Sequence, residues 1–262
     1  MSTENEALYV GALKDGKYHG KGKATFKDGS TYEGEFKLGS FDGLGKYTYQ
    51  DGSYDEGEYK NDELNGLGTS TSEDGTMYIG QFLNDQRDGF GRLVNNDRVI
   101  YEGNFKKGEF HGVGIYFRAN GETYGGHFEN GVFNGNGTYN FDDGSIFEGE
   151  FKDGKIHTHG KHTSSEGDVY EGEFENGVFH GHGKYTYKTG AIFEGIFKVG
   201  EIDGIGILKL QDGSMFEGFF YKLLAFGVVK VTHPDGLVEK VWYEHGEVVK
   251  NKKVTEEDEN EN

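Results

Sequence analysis

Five histidines are concentrated in a short stretch of this sequence, and histidine is the most common metal-ligating side chain. They are His157, His159, His162, His180 and His182. On a β-strand, His157 and His159 would lie on one face, where two imidazoles can share a metal ion. However, equivalent residues such as His157 and His180 would lie ~10 Å apart, two strand spacings, which is too far for shared ligation. We therefore predict no metal site.

Two segments resemble phosphate-binding loops: Gly20-Lys21-Gly22-Lys23 and Gly181-His182-Gly183-Lys184. A P-loop has four residues between its glycines and then Lys-Ser/Thr at the start of a helix. Here five residues separate Gly16 from Gly22, and Ala24 follows the lysine. No nucleophile elbow, zinc-protease motif or pair of catalytic carboxylates stands out elsewhere. The sequence therefore predicts neither an enzyme nor a cofactor.

Composition argues against several partners and compartments. The chain has 262 residues, no cysteine and a formal net charge of −19. The negative charge opposes binding to nucleic acid and to anionic membranes. The N-terminal residues lack a basic segment followed by an apolar one, and no run approaches the ~18 apolar residues of a membrane span. We expect a soluble, cytoplasmic protein.

The 46 glycines of the chain recur with a period of 23 residues. The pattern Tyr/Phe-x-Gly-x-Phe gives ten repeats without insertion or deletion. Their first residues are Tyr9, Tyr32, Asp55, Tyr78, Tyr101, Tyr124, Phe147, Tyr170, Phe193 and Phe216. Positions 3, 8, 12, 14 and 21 of the repeat hold 44 of the 46 glycines. The glycine content is therefore a property of the repeat.

Each repeat predicts a β-hairpin. Residues 32–37 alternate ring or glycine with charge, as in a half-buried strand. Gly39 can adopt the positive φ of a turn, and Asp62 and Asp85, which replace it in later repeats, tolerate the same region. Residues 43–49 form a second strand with period-2 alternation. Because glycines at positions 12 and 14 remove side chains, we expect the rings at positions 1 and 5 to lie flat over the backbone there.

The repeat YEGEFKxGxxHGxGxYxxxDGS resembles the MORN repeat (membrane occupation and recognition nexus) over residues 9–238. The resemblance implies an all-β protein, an elongated single-layer solenoid of antiparallel β-hairpins. We divide the chain into a leader (1–8), ten repeats (9–238), a partial eleventh repeat or cap (239–250) and an acidic tail (251–262).

Aromatic residues at positions 16 and 18 of the repeat form a candidate binding lane. Tyrosine there alternates with serine, leucine and histidine in other repeats, which indicates partial exposure, although these rings could simply pack against their neighbours. The lane consists of Tyr47, Tyr49, Tyr116, Tyr139, Phe141, Tyr185 and Tyr187. Such a lane suits an extended peptide or a helix with apolar anchors and a basic rim.

Repeat 10 departs most from the pattern. It replaces charged residues with the apolar side chains Phe219, Tyr221, Leu223 and Leu224, and it has Val229 at the glycine position 14. The end of a solenoid exposes a strand edge and core. Repeat 10 is therefore either an intramolecular cap, completed by residues 239–246, or a docking surface that permits end-to-end self-association.

The resemblance also suggests a function. Some MORN proteins carry a lipid kinase or SET-type methyltransferase domain, whereas radial-spoke head proteins and protist cytoskeletal scaffolds are nearly all repeat. Only 24 residues follow position 238, so we expect a non-catalytic scaffold that positions protein partners in a ciliary axoneme or another cytoskeletal assembly. The alternative is a phospholipid-binding module, which the glutamates beside the position-6 lysines disfavour.

Overall fold

The computed structural model describes residues 8–253, in which every helix or strand is a β-strand. The 22 strands are antiparallel and belong to two compact units. The N-terminal unit comprises residues 8–119 and 123–132, and the C-terminal unit comprises residues 120–122 and 133–253. The predicted all-β fold of antiparallel hairpins is confirmed. Of the predicted leader (1–8) and acidic tail (251–262), residues 1–7 and 254–262 lie outside the described residues, whereas Leu8 begins the first strand and residues 251–253 end the last one.

Within each unit, consecutive strands pair in chain order. The strands of the N-terminal unit are β1 (Leu8–Lys14), β2 (Lys17–Thr25), β3 (Thr31–Lys37), β4 (Ser40–Thr48), β5 (Tyr54–Lys60), β6 (Glu63–Thr71), β7 (Thr76–Leu83), β8 (Gln86–Asn95), β9 (Arg98–Lys106), β10 (Glu109–Phe117) and β11 (Thr123–Glu129). Those of the C-terminal unit are β12 (Val132–Asn140), β13 (Ile146–Lys152), β14 (Lys155–Thr163), β15 (Val169–Glu175), β16 (Val178–Thr186), β17 (Ile192–Lys198), β18 (Glu201–Lys209), β19 (Met215–Tyr221), β20 (Leu224–Thr232), β21 (Val238–Glu244) and β22 (Glu247–Lys253).

The ring at position 1 lies over a pair of glycines. In repeat 2, Gly34 and Gly45 are direct cross-strand partners in β3 and β4. A Cβ atom on either glycine would collide with the ring of Tyr32. Tyr32 is fully buried, and its ring stacks on Phe41 with the centroids 3.7 Å apart. The glycines at positions 3 and 14 therefore make the space that the ring occupies.

The ring at position 5 behaves differently from the sequence expectation. Phe36 does not lie flat over the glycines but meets Tyr32 edge-on, at an interplanar angle of 83° and a centroid distance of 5.0 Å. Tyr32 also contacts the position-5 ring of the next repeat, Tyr59, at 5.3 Å. Edge-to-face contacts favour the quadrupoles of both rings. Equivalent contacts join Tyr78 to Phe105 and Tyr170 to Phe197, whereas repeat 3, which has Asp55 at position 1, makes no such ring contact with repeat 4 among the described residues.

A β-bulge explains why position 1 is usually tyrosine. The register between β3 and β4 shifts between Gly34 and Phe36. The hydroxyl of Tyr32 donates to the carbonyl of Glu35, the β3 residue at which the register shifts, at 3.1 Å. The same bond is made by Tyr78, Tyr101, Tyr124 and Tyr170. Burial raises the pKa of Tyr101 to about 12, so this hydroxyl remains a donor at neutral pH.

Two-residue turns with positive φ at both positions join the strands of each hairpin. Asp62 and Asp85 have φ angles of +73° and +62°, as the sequence predicts for the residues that replace glycine. The carboxylate of Asp62 also accepts a hydrogen bond from the backbone N–H of Phe41, at 2.9 Å. This bond connects the turn to the preceding repeat. Such turns match the right-handed twist of the strands they join.

The C-terminal unit ends in an eleventh hairpin, β21–β22. Val229 replaces the position-14 glycine and is buried with Val231 and Val241, against which Phe216 and Tyr243 pack. Strand β21 thus contributes Val241 to the apolar cluster of repeat 10 while pairing with β20. An intramolecular cap of repeat 10 requires such packing, in which the hairpin that follows covers the apolar side chains of the repeat.

The contact between ring and glycine predicts which glycines tolerate a methyl group. A Cβ atom at Gly103 would lie 2.6 Å from the Tyr101 hydroxyl and 2.7 Å from the Val113 carbonyl oxygen. We expect Gly103→Ala to destabilise the protein by about 1–3 kcal/mol, because a well-packed site must expand. Thermal denaturation followed by circular dichroism measures the change.

Gly125→Ala is the matched control. Its nearest atom would be Ile115 Cγ1, 3.9 Å away, and Gly125 has no positive φ. Alanine should leave the melting temperature unchanged or raise it slightly, since glycine costs strands conformational entropy. Equal melting temperatures for the two variants would contradict the assigned packing.

A turn residue offers a second test. Val199 has a φ of +49°, which a β-branched residue rarely adopts, and its side chain is 77% exposed. The same turn position holds Asn61, Asn84, Asn130 and Asn176 in other repeats. We expect Val199→Asn to stabilise the protein by about 1 kcal/mol, because asparagine tolerates this region. A lower melting temperature would contradict this explanation.

Candidate functional site

The predicted aromatic lane lies on the same face as the ring core, toward the loops that connect repeats. In repeat 2, the rings of Tyr47 and Tyr49 are 4.8 Å apart. The hydroxyl of Tyr47 is 2.7 Å from Ser30 Oγ, and Tyr49 donates to the Asp55 carboxylate at 2.6 Å. Tyr49 is 43% exposed and Tyr47 is half-buried. Burial, together with Asp55, raises the pKa of the Tyr49 hydroxyl.

Two more ring pairs lie in the C-terminal unit. The rings of Tyr139 and Phe141 are 4.7 Å apart, and those of Tyr185 and Tyr187 are 4.6 Å apart. Tyr185 donates to Asp168 at 3.2 Å, and burial raises the pKa of Tyr187 to about 12. Phe141, Tyr185 and Tyr187 are half-buried.

Tyr139 departs from the expected partial exposure. It is only 8% exposed, because its ring packs on Phe133 and its hydroxyl donates to Glu122 at 2.7 Å. Tyr116, the single lane ring of repeat 5, is half-buried with its centroid 6.0 Å from Phe110. Position 16 thus belongs partly to the core, and position 18 supplies the more accessible rings.

The loops beside the lane are acidic. In each unit, the loops that follow the second strand of a repeat lie at the same end of the strands. Nine of these ten loops carry at least one carboxylate. Their representatives are Asp28, Asp51, Asp74, Asp97, Glu122, Asp143, Asp168, Asp212 and Asp235. The lane therefore has an acidic rim in both units.

Of the apolar residues predicted in repeat 10, Leu223 lines one pocket with the lane residues Tyr185 and Tyr187, but Phe219 does not join the lane. Phe219 is the cross-strand partner of Ile205 on one side and of Phe226 on the other. These residues face away from the ring core and are exposed, as are Tyr221 and the turn and strand-end residues Leu223 and Leu224. The predicted partner-binding residues therefore occupy two opposite faces of the sheet.

A further set of exposed apolar residues was missed by the sequence interpretation. Position 13 lies between two glycines and faces away from the rings. Its exposed apolar members are Leu44, Leu67, Phe90 and Val113 in the N-terminal unit and Ile205 and Val228 in the C-terminal unit. The period-2 alternation could have revealed them, because position 13 must point opposite to the inward glycine at position 14.

The histidines do not come together around a metal position. Among residues 8–253, no three His, Cys, Asp or Glu side chains are placed to hold a metal ion. His180 instead lies 3.3 Å from the Glu175 carboxylate. His162 occupies position 16, with its ring 5.7 Å from Phe179, and burial lowers its pKa. It takes the place of a lane tyrosine.

A row of lysines crosses the last three strands, on the face opposite the ring core. Lys230 is the cross-strand partner of Lys240, which is in turn the partner of Lys252. The neighbouring row contains Trp242, and Lys250 Nζ lies 4.9 Å from a ring centroid of its indole. Like charges placed directly opposite each other are destabilising. This row is locally basic in a chain of net charge −19.

No helix long and apolar enough to cross a membrane is found in residues 8–253.

Comparison with solved structures finds distant likenesses. The TCP10 domain of Danio rerio CPAP is 12% identical, with 88% of this chain and 99% of that chain covered and a TM-score of 0.39. The TCP domain of Drosophila melanogaster SAS-4, solved with a proline-rich motif of Ana2, is 14% identical. The match covers 75% of this chain and 88% of that chain, with a TM-score of 0.20. Virginiamycin B lyase of Staphylococcus aureus is 15% identical, with 92% of this chain and 75% of that chain covered and a TM-score of 0.17. These scores are too low to support an inference about function.

Comparison with curated proteins gives no match. The MORN-repeat family model, in contrast, matches nine consecutive segments in the register of the glycine period. The segments are 9–31, 32–54, 56–77, 78–98, 101–123, 124–146, 147–169, 170–192 and 193–215. The chain is therefore a member of the MORN-repeat family.

Proposed function

We propose that this chain is a non-catalytic scaffold that binds and positions protein partners, in a ciliary axoneme of the radial-spoke-head type or in another cytoskeletal assembly. The supporting observation is the set of ring pairs along the lane, partly accessible and rimmed by carboxylates. MORN repeats suggest a repeat scaffold, and the ring pairs supply candidate contact points.

The ring pairs are held in place before any partner arrives. Tyr49 and Tyr185 are fixed by hydrogen bonds to Asp55 and Asp168, and each packs on a second ring. Ordering side chains on binding costs about 0.5–1.5 kcal/mol for each freely rotating one. Rings that are already fixed avoid much of this cost. Aromatic side chains at an interface centre are also the residues that most often dominate affinity.

The acidic rim selects the partner by charge. Carboxylates such as Asp51, Asp143 and Asp168 lie in the loops beside the ring pairs. A partner with apolar anchors flanked by Lys or Arg complements this arrangement. Exposed charges interact over a Debye length of ~8 Å at physiological salt, so the association rate should fall as salt increases.

The position-18 rings test the proposal. Repeats 3 and 7 carry Ser72 and Ser164 at this position, so serine is compatible with the fold. We expect the triple variant Tyr49→Ser, Phe141→Ser, Tyr187→Ser to stay folded and to lose its partners. Each ring that lies at the centre of an interface should contribute about 2 kcal/mol of binding free energy. Affinity purification from ciliated cells, quantified by mass spectrometry against wild type, measures the loss of axonemal or cytoskeletal proteins.

Phe128→Ala provides the contrast within the core. Phe128 is buried, and truncation should cost about 3–5 kcal/mol of stability. Tyr139→Ser belongs with this core control, because Tyr139 is buried. If the triple variant melts like wild type and still captures the same proteins, the lane is not the docking surface.

One observation favours a second function, phospholipid binding: the lysine row Lys230–Lys240–Lys252 beside Trp242. Each lysine near an anionic membrane contributes about 1 kcal/mol. Three lysines thus contribute about 3 kcal/mol of binding free energy. This is less than the ~4 kcal/mol that even a millimolar Kd requires. The net charge of −19 opposes the approach further.

We therefore expect no micromolar affinity for vesicles that contain phosphoinositides at physiological salt. Co-sedimentation of the full chain measures it, with Lys230→Glu, Lys240→Glu as the control variant. Salt-sensitive micromolar binding that the control variant lacks would establish the phospholipid function instead.

A further inference from the structure

The aromatic lane is interrupted in repeats 3 and 4, within the N-terminal unit. Repeat 3 has Ser70 and Ser72 at positions 16 and 18, where other repeats carry rings. Repeat 4 has Arg87 at position 10, where Phe41 and Phe110 stack on a tyrosine in their repeats. The interruption forms an open cleft lined by these polar residues and by Lys107 and Asp85, among others.

Arg87 takes the place of a core ring. Its Cζ atom lies 5.8 Å from the ring centroid of Tyr78 and 5.6 Å from that of Phe105. A planar guanidinium can stack on aromatic faces while its edge carries five N–H donors. Arg87 is half-buried, and within residues 8–253 its guanidinium forms no hydrogen bond or ion pair. The donors at its edge are therefore available to a ligand in the cleft.

The neighbouring groups define the charge that the cleft can accept. The cleft is also lined by Lys107, a cationic residue, and by Ser70 and Ser72, whose hydroxyls can donate. The Asp85 carboxylate is also at the cleft, although one of its oxygens accepts the backbone N–H of Leu64 at 2.7 Å. The Asp88 carboxylate accepts the backbone N–H of Lys107 at 3.3 Å. With two cations opposed by these carboxylates, a singly charged anion is favoured over a doubly charged one.

We propose that this cleft binds an Asp or Glu side chain of the protein partner, with Arg87 as the recognising residue. The inference rests on the proposed function, because it places one acidic contact within a lane that otherwise selects apolar and basic residues. The guanidinium edge matches a carboxylate, with two parallel N–H···O bonds. A single acidic contact among basic ones fixes the register of the partner on the repeats, since a shifted partner places a basic residue against Arg87.

Selection from a display library of random dodecapeptides on the full chain tests the proposal. Wild type should select peptides with apolar and basic residues and, at one fixed spacing from them, Asp or Glu. The matched variant is Arg87→Phe, which restores the ring of other repeats and should not lower the melting temperature. Arg87→Phe should lose the preference for Asp or Glu and keep the preferences for apolar and basic residues. Arg87→Lys should keep part of the preference for Asp or Glu.

A selected peptide then measures the contact directly. Replacement of its acidic residue by Gln or Asn should weaken binding to wild type about 10-fold or more, as a charge-assisted bidentate bond requires, and should leave binding to Arg87→Phe unchanged. A phosphoserine in the same place should bind more weakly than the carboxylate. Tighter binding of the phosphopeptide would overturn the carboxylate assignment in favour of a phosphate site.

The outcomes separate this inference from the proposed function. Peptides that depend on the ring of Tyr49, which lies in the same unit as Arg87, but show no acidic preference would overturn the cleft and leave the lane. If the triple serine variant selects the same peptides as wild type, the lane is wrong, and the cleft is overturned as well unless Arg87→Phe loses the acidic preference.

Discussion

The contact between an aromatic ring and a pair of glycines determines most of this structure. A ring at position 1 can be buried in a sheet with few other apolar residues only if the strands beneath it have no side chains on that face. Gly34 and Gly45 meet that condition for Tyr32, and equivalent pairs recur along both units. The bulge next to the ring then gives the Tyr32 hydroxyl a carbonyl partner. The glycine period is thus a packing requirement rather than a sign of flexibility.

This constraint leaves other positions of the repeat free to vary, and the candidate sites lie there. Positions 16 and 18 hold ring pairs in repeats 2, 6 and 8 but serines in repeat 3, and position 10 holds Arg87 in repeat 4. In repeat 4 the position-1 ring of Tyr78 still covers Gly91, whereas in repeat 3, where position 1 is Asp55, the side chains of Leu64 and Phe82 lie closest to Gly68. Variation on a constant framework is how a regular array can contact different parts of one partner.

Net charge describes the surfaces poorly. The −19 of the chain is concentrated partly in the loops beside the lane, whereas Lys230, Lys240 and Lys252 form a basic row on the opposite face. Charges on opposite faces and at strand ends act largely independently of one another, because salt limits their range to ~8 Å. The acidic rim and the lysine row therefore have to be considered as separate surfaces.

The sequence by itself determined the period, the hairpins and the turns at Asp62 and Asp85, because these depend on residues close together in the chain. It placed a ring over the glycine at position 14 correctly, but it named position 12 as the second glycine, where the structure has position 3. Strand alternation and turn chemistry are local properties. The tertiary structure alone decided that Tyr139 is buried against Glu122, that Phe219 lies on the opposite face from the lane, and that the Arg87 guanidinium has no hydrogen bond or ion pair among residues 8–253. Each of these depends on which residues the cross-strand register brings together. Within a hairpin that register shifts by two residues at the bulge, from the pair Gly34–Gly45 to the pair Phe36–Phe41, and the period alone does not specify this shift.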